Sequence, residues 1–213
     1  APTLSVCDLA RAGLDSIALR IPAHPVALQL LAAFGGPLVA PSANPSGQIS
    51  PTCAAHVADS MGERIDLILD GGPCRAGLES SIIDARHETP VLQRPGSLDP
   101  QAIDLVWPGL RRAESDPDLP RSPGQLLRHY APRARLRLNA TRREDGEGML
   151  GFGPVKGDLS LSPTGNLAEA ATNLFAMLRE LDAKHTRIAV APVPMHGLGE
   201  AINDRLTRAA ETG

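Results

Sequence analysis

Aromatic residues are nearly missing from this chain. Its 213 residues hold three Phe, one Tyr and one Trp, so Leu, Val, Ile and Ala must fill any interior. Lysine is scarcer still. Only Lys156 and Lys184 occur, against 19 arginines, a bias that reads as a compositional habit. Three cysteines, Cys7, Cys53 and Cys74, are an odd number without paired metal spacing. That excludes a disulfide scaffold or a zinc ribbon and fits reduced thiols in a cytoplasmic protein. No stretch approaches the roughly 20 apolar residues of a membrane span. The start, Ala1-Pro2-Thr3-Leu4-Ser5, lacks the basic and then apolar order of a secretory signal. A net charge of −3 gives no global sign of nucleic-acid binding.

What remains suits a globular enzyme or binding protein. Apolar content is 42%, and the length allows one large domain or two small ones. Residues 16–21 read as a short strand, 38–40 as a strand end and 67–69 as a buried strand. Pro25 opens an apolar helix to Phe34, with Val26, Leu30, Leu31 and Phe34 expected inside. Residues 51–61 read as a short helix, 80–84 and 90–94 as paired strands, and 100–106 as another short helix. From Pro108 to about Pro132 prolines and mixed charges mark a linker. It contains Leu126-Leu127-Arg128-His129-Tyr130, which is too apolar and aromatic for an idle tether. Beyond it, 136–138, 149–152, 159–161 and 188–191 read as strands. Residues 167–182 form the clearest amphipathic helix, and a last helix follows Gly197-Leu198-Gly199. Strands alternating with helices predict an α/β fold.

The densest local signal is Pro37 to Thr52, PLVAPSANPSGQISPT. It runs from an apolar stretch through Ser42, Asn44, Ser46 and Gly47 into Ser50-Pro51-Thr52. Ser50 is a good N-cap and Pro51 a good first helical residue. A small polar loop at a helix start offers free N–H groups to a phosphate or carboxylate. A capped βα turn without a ligand gives the same pattern. Asp70, Glu79 and Asp84 could serve Mg2+, but turn and solvent roles suit them as well. Neither Gly151-Phe152-Gly153 nor Gly197-Leu198-Gly199 continues into a dinucleotide loop.

PSANPSG is followed in order by Asp70-Gly71-Gly72, Gly77-Leu78-Glu79-Ser80-Ser81-Ile82-Ile83-Asp84 and Leu92-Gln93-Arg94-Pro95-Gly96. Then come Ser122-Pro123-Gly124, Arg128-His129-Tyr130-Ala131-Pro132 and Ala201-Ile202-Asn203-Asp204-Arg205-Leu206. This ordered set resembles the Sua5/YrdC family of threonylcarbamoyl-AMP synthases, in its longer, two-domain Sua5 form. The resemblance implies an incomplete YrdC-like twisted-sheet domain over 1–107 and a linker or lid over 108–133. A smaller Rossmann-like α/β domain would follow over 134–213.

It also implies a reaction. L-threonine, bicarbonate and ATP would yield threonylcarbamoyl-AMP and pyrophosphate, a nucleotidyl transfer in the cytoplasm. The product would pass to the machinery that transfers threonylcarbamoyl to tRNA, next to the anticodon. Carried over position by position, Ser16, Ser42, Asn44, Ser50 and Arg94 would line the ATP site, with Tyr130 as a lid. Arg20, Ser80 and the backbone of Ala40 would hold threonine, with Arg20 clamping its carboxylate. Where the family usually has threonine, Ser81 keeps the hydroxyl. Mg2+ is expected with ATP, and no tightly bound organic cofactor or resident metal site is implied. No general base is evident, so the catalytic residues stay unassigned.

Two further expectations follow. The family's upstream Pro-Thr-Glu-Thr-like and Lys-Arg-Pro-like blocks, which grip the triphosphate, do not occur here. The chain is therefore expected to be the C-terminal two-thirds of such an enzyme, inactive alone, with apolar surface exposed. The alternative is a non-catalytic RNA- or nucleotide-binding remnant, and a third reading is a regulatory or oligomerising module. Arg121 to Arg143 holds seven arginines and no acid, a stripe that offers contact to RNA.

Overall fold

The computed structural model describes residues 6–11, 13–113 and 129–211. The chain divides into two compact units, Ala1–Ser42 and Ala43–Gly213, and each is described by itself.

The first unit carries helix α1 (Asp8–Arg11) and helix α2 (Pro25–Phe34). Pro25 begins α2, and Gly35, with φ of +75°, ends it, the proline-first, glycine-last order that helices favour. The expected burial of α2 does not occur. Val26 and Leu31 are half-buried, Leu30 and Phe34 are exposed, and Phe34 reaches 61%. The expected strands at 16–21 and 38–40 do not form, and no strand occurs among the described residues of this unit. An α/β helix buries its apolar face on a sheet, and this unit builds no sheet for α2 to cover.

The second unit holds two sheets. In the first, β1 (Ile82–Asp84) runs antiparallel to β2 (Val91–Arg94), with Ile83 opposite Leu92. A short edge strand, β3 (Arg111–Arg112), joins β2 in parallel. It falls inside the stretch read as linker. Helix α3 (Ala54–Met61) precedes this sheet, and α4 (Pro100–Val106) lies between β2 and β3. Asp99 caps α4 by accepting from the Gln101 amide, as a good N-cap should. The segment 67–69 is neither a strand nor buried, and Leu67 is 75% exposed. No strand among the described residues pairs with it.

The second sheet is wholly parallel, in the order β4 (Arg135–Arg137), β7 (Arg187–Val190), β5 (Gly148–Gly151), β6 (Leu159–Ser160). Parallel strands need crossover helices, and α5 (Leu167–Asp182) supplies one between β6 and β7. Its buried residues, Ala170, Ala171, Leu174, Phe175, Leu178 and Leu181, repeat at three- and four-residue steps, the stripe read from the sequence. Asn166 caps it by accepting from the Ala168 and Glu169 amides. Helix α6 (Leu198–Ala210) packs against α5 and β4. The core of this α/β layer also takes in Ile49, Leu78 and Tyr130. No described helix is long and apolar enough to cross a membrane.

Candidate functional site

The site grows mainly out of loops, with Arg94 at the end of β2. Residues 44–50 leave the start of the second unit without a strand partner, so their polar groups need other bonds. Asn44 Nδ2 donates to the carbonyls of Pro45 (3.1 Å) and Gln48 (3.0 Å). Gln48 forms an isolated bridge with Ala131, whose amide donates to Gly47 O at 2.8 Å. The residues around Tyr130 thus run alongside this loop. Arg179 of α5 closes it from the other side, donating to Ile49 O (2.5 Å), Ser50 O (3.3 Å) and Ser60 Oγ (3.1 Å).

Ser50 does not cap a helix. Helix α3 starts at Ala54 with Cys53 in the cap position and no side-chain cap bond. The Ser50 hydroxyl instead donates to Glu79 Oε1 at 2.5 Å. Helix α3 begins four residues beyond Ser50, so no helix-end amide calls on its oxygen, and its O–H donates to a charged acceptor 29 residues away.

Glu79 is the hub. Its second oxygen accepts from Arg205 Nε at 3.1 Å. Arg205, on α6, has no solvent exposure. It also donates to Pro95 O (2.7 Å) and to Asp204 Oδ2 (2.8 Å). Burial works against its charge, yet Tyr130, Glu79 and Asp204 around it outweigh burial and raise its pKa. Its Cζ lies 5.3 Å from the centre of the Tyr130 ring, within range of a cation–π contact. Tyr130 is buried between Arg205 and Phe175, 5.6 Å ring to ring. Its hydroxyl has no hydrogen-bond partner among the described residues, and burial pushes its pKa up. Its φ of +61° is unusual for a non-glycine residue. His129 stacks edge-on against it at 4.0 Å, and burial lowers the imidazole pKa.

Arg94 and Ser80 belong to the same cluster. Arg94, 6% exposed, donates to Ser80 O from Nε (3.3 Å) and Nη2 (2.8 Å). The Ser97 amide donates to Glu79 O at 3.1 Å. Gly96 lies so close that a Cβ there would sit inside the backbone of Ser80 and Ser81. Only glycine lets the Pro95–Gly96 turn press against that segment.

The structure therefore gathers Ser50, Ser80, Arg94 and Tyr130 about Glu79 and Arg205, with Asn44 on the Ser50 loop. Ser16, Arg20, Ala40 and Ser42 lie in the first unit. There Ser16 is half-buried and the other three are exposed. Residues 121–128 of the expected lid lie outside the described residues.

Sequence reasoning passed over Glu79 as a turn residue and over Arg205 altogether. The available signal was an arginine inside the apolar stripe of α6, between Ile202, Leu206 and Ala209. Asp70 caps its own turn through the Gly72 amide, and Asp84 pairs with Arg86. Both Glu79 oxygens are engaged. Among the described residues no group of three His, Cys, Asp or Glu side chains could hold a metal ion. In the arginine stripe, Arg133, Arg137 and Arg143 are paired with Asp182, Glu147 and Asp158.

Known proteins resemble this chain over most of its length. Residues 2–96 match a family described as telomere recombination, the Sua5/YciO/YrdC family. Residues 98–211 match the C-terminal domain of threonylcarbamoyl-AMP synthase. Threonylcarbamoyl-AMP synthase of Pyrococcus abyssi is 37% identical over 93% of this chain, and that of Bacillus subtilis 35% over 93%. The chain spans 65% and 64% of the lengths of these two relatives. The crystal structure of P. abyssi Sua5 complexed with L-threonine is similar, with a TM-score of 0.85 at 36% identity. That match covers 96% of this chain and 67% of the P. abyssi chain.

Proposed function

The chain belongs to the Sua5/YrdC family of threonylcarbamoyl-AMP synthases, and from that premise we propose that it serves the formation of threonylcarbamoyl-AMP. The substrates are L-threonine, bicarbonate and ATP, the last entering as its magnesium complex. Threonine nitrogen and bicarbonate condense with loss of water to a carbamate. A carbamate oxygen then attacks the α-phosphorus, the bond to the bridging oxygen breaks, and pyrophosphate leaves. The product goes to the transfer of threonylcarbamoyl onto tRNA in the cytoplasm. No described side chain stands as a general base, so catalysis comes from positioning and charge stabilisation.

The assignments keep to the residues named from the sequence. Arg20, Ser80 and the Ala40 backbone are assigned to threonine, with Arg20 on its carboxylate, and Ser16, Ser42, Asn44, Ser50, Arg94 and Tyr130 are assigned to ATP. The observation that carries this reading is the Ser50–Glu79–Ser80–Arg94 arrangement. Residues from three separate motifs, Ser50 on a loop, Glu79 and Ser80 ahead of β1 and Arg94 at the end of β2, are bonded into one cluster. A relative with this fold complexed with L-threonine supports the choice of amino acid.

Calorimetric titration of the 213-residue chain with L-threonine tests it. Saturable binding is expected, weakened about tenfold or more by Arg20→Ala, the scale of one hydrogen bond to a charged group. L-valine, which lacks the hydroxyl, should bind less well. Equal affinity for threonine and valine, or no binding of either, would count against the proposal.

A further inference from the structure

Ser80 and its neighbours hold their place through contacts from far along the chain. Arg205 reaches residues 79–81 from two directions. One nitrogen bonds the Glu79 carboxylate, and another bonds Pro95 O at the turn whose Gly96 presses on Ser80 and Ser81. Its guanidinium also faces the ring of Tyr130. We propose that Arg205 is the positioning residue of the threonine site: it fixes the Glu79–Ser80–Ser81 segment against Ser50 and Tyr130, making helix α6 part of substrate recognition. This rests on the functional reading above, since it presumes that Ser80 meets threonine.

A plain stabilising role explains the geometry less well. A buried ion pair seldom stabilises more than apolar packing of similar volume. Arg205 sits where Ile202, Leu206 and Ala209 of the same helix are apolar, so a leucine or methionine would suit the core. The arginine is instead distributed over a carboxylate, a carbonyl and an aromatic face, and its Nη2 is buried without a partner among the described residues. What this arrangement gains is geometry. The planar fork holds two segments at a fixed spacing, which an ammonium on a flexible stem cannot do. Glu79 in turn passes the constraint to Ser50 through its other oxygen.

The test uses the full chain with Arg205→Met, Arg205→Lys and Glu79→Gln. Three readouts separate positioning from bulk stability. The first is amide hydrogen exchange over residues 49–52 and 79–81. The second is absorbance titration of Tyr130, the single tyrosine in the chain. The third is L-threonine affinity by calorimetry. Arg205→Met should speed exchange in both segments, raise the Tyr130 titration midpoint and weaken threonine binding about tenfold or more. Arg205→Lys should keep the tyrosine midpoint near wild type, because the charge stays, yet fail to restore exchange protection or affinity. Glu79→Gln approaches the same link from its half-exposed end and should loosen the 49–52 segment if Arg205→Met does not fold. Wild-type affinity in the lysine variant, or unchanged exchange at 79–81 in the methionine and glutamine variants, overturns the proposal. A wild-type chain that does not bind L-threonine sinks the functional reading instead, and the exchange data still decide whether Arg205 holds the segment.

Discussion

Replacing Glu147 by glutamine probes the platform on which α6 rests. Glu147 is 4% exposed and immediately precedes β5, and its carboxylate meets Arg137, the last residue of β4, and Arg187, the first of β7. Oε1 accepts from Arg137 Nε (3.0 Å) and Arg187 Nη2 (3.2 Å), and Oε2 from Arg137 Nη2 (2.6 Å) and the Glu144 amide (2.8 Å). The Arg137 hydrogen bonds, against the cost of burial, hold its carboxyl at about 2 instead of the ordinary 4.5. At about 1.36 kcal/mol per tenfold in proton affinity, that gap corresponds to roughly 3 kcal/mol. Arg137 and Arg187 are each more than a third exposed, so solvent screening brings the figure nearer to about 2 kcal/mol.

The folded value lies below the unfolded one. The contribution is therefore complete above about pH 4.5 and disappears as pH falls through about 2. Glutamine is close in shape to the protonated acid, so the two proteins should converge at low pH. Urea melts of wild type and Glu147→Gln should differ by about 2 kcal/mol near neutral pH and coincide near the acid end. Asp84, also held at about 2 by its Arg86 hydrogen bonds, titrates in both proteins and cancels in the comparison. A difference that stays constant from neutral to acid pH, or none at neutral pH, would refute the reasoning.

Two other outcomes are expected. Gly96→Ala should cost at least about 2 kcal/mol in a thermal or urea melt, because the new methyl meets the Ser80–Ser81 backbone and not a flexible side chain; a wild-type melting point would mean that the turn does not press on that segment. Burial lowers the pKa of His129, and burial together with Arg179 lowers that of His56, so stability should be complete above about pH 6.5 and decline as pH drops below it, where the unfolded chain binds more protons. Substituting both histidines by glutamine should flatten that decline, and an unchanged slope would show that other groups cause it.

The sequence was most informative where structure is set locally. Helix α5 occupies 167–182, the span its apolar period predicts, and β4, β5, β6 and β7 fall within a residue or so of their apolar runs. Apolar runs at 16–21, 38–40 and 67–69 predict strands equally well, yet none forms a ladder. Such a run shows only that a segment favours burial, whereas a strand also needs a neighbour with free backbone groups. Ser50 failed as an N-cap for a related reason. Ser-Pro-Thr is a sound local signal, but α3 starts only at Ala54, and the carboxylate that takes the Ser50 hydroxyl lies 29 residues along the chain. The candidate residues came from ordered motifs, which name positions without saying what holds them there. Arg205 therefore stayed one letter in a motif, although it touches Glu79 across 126 residues of sequence.

The long-range bonds share a pattern that explains why the second unit is one compact body. Arg179 donates to the Ile49 and Ser50 carbonyls, Thr172 Oγ1 to Arg75 O, and Arg205 to Pro95 O. In each case a side chain on α5 or α6 satisfies a carbonyl of a loop or turn outside the sheet ladders. Gly77 adds steric contact, since a Cβ there would run into the backbone of Ala171 and Thr172. An unpaired buried carbonyl costs about as much as a lost hydrogen bond, so these loops depend on the two helices for their shape. The helices in turn take their positions from the parallel sheet behind them. Residues 134–211 thus act as the template on which the Ser50, Ser80 and Arg94 loops are set. Substitutions on the loop-facing side of α5 and α6 should accordingly alter the site before they alter the stability of the sheet.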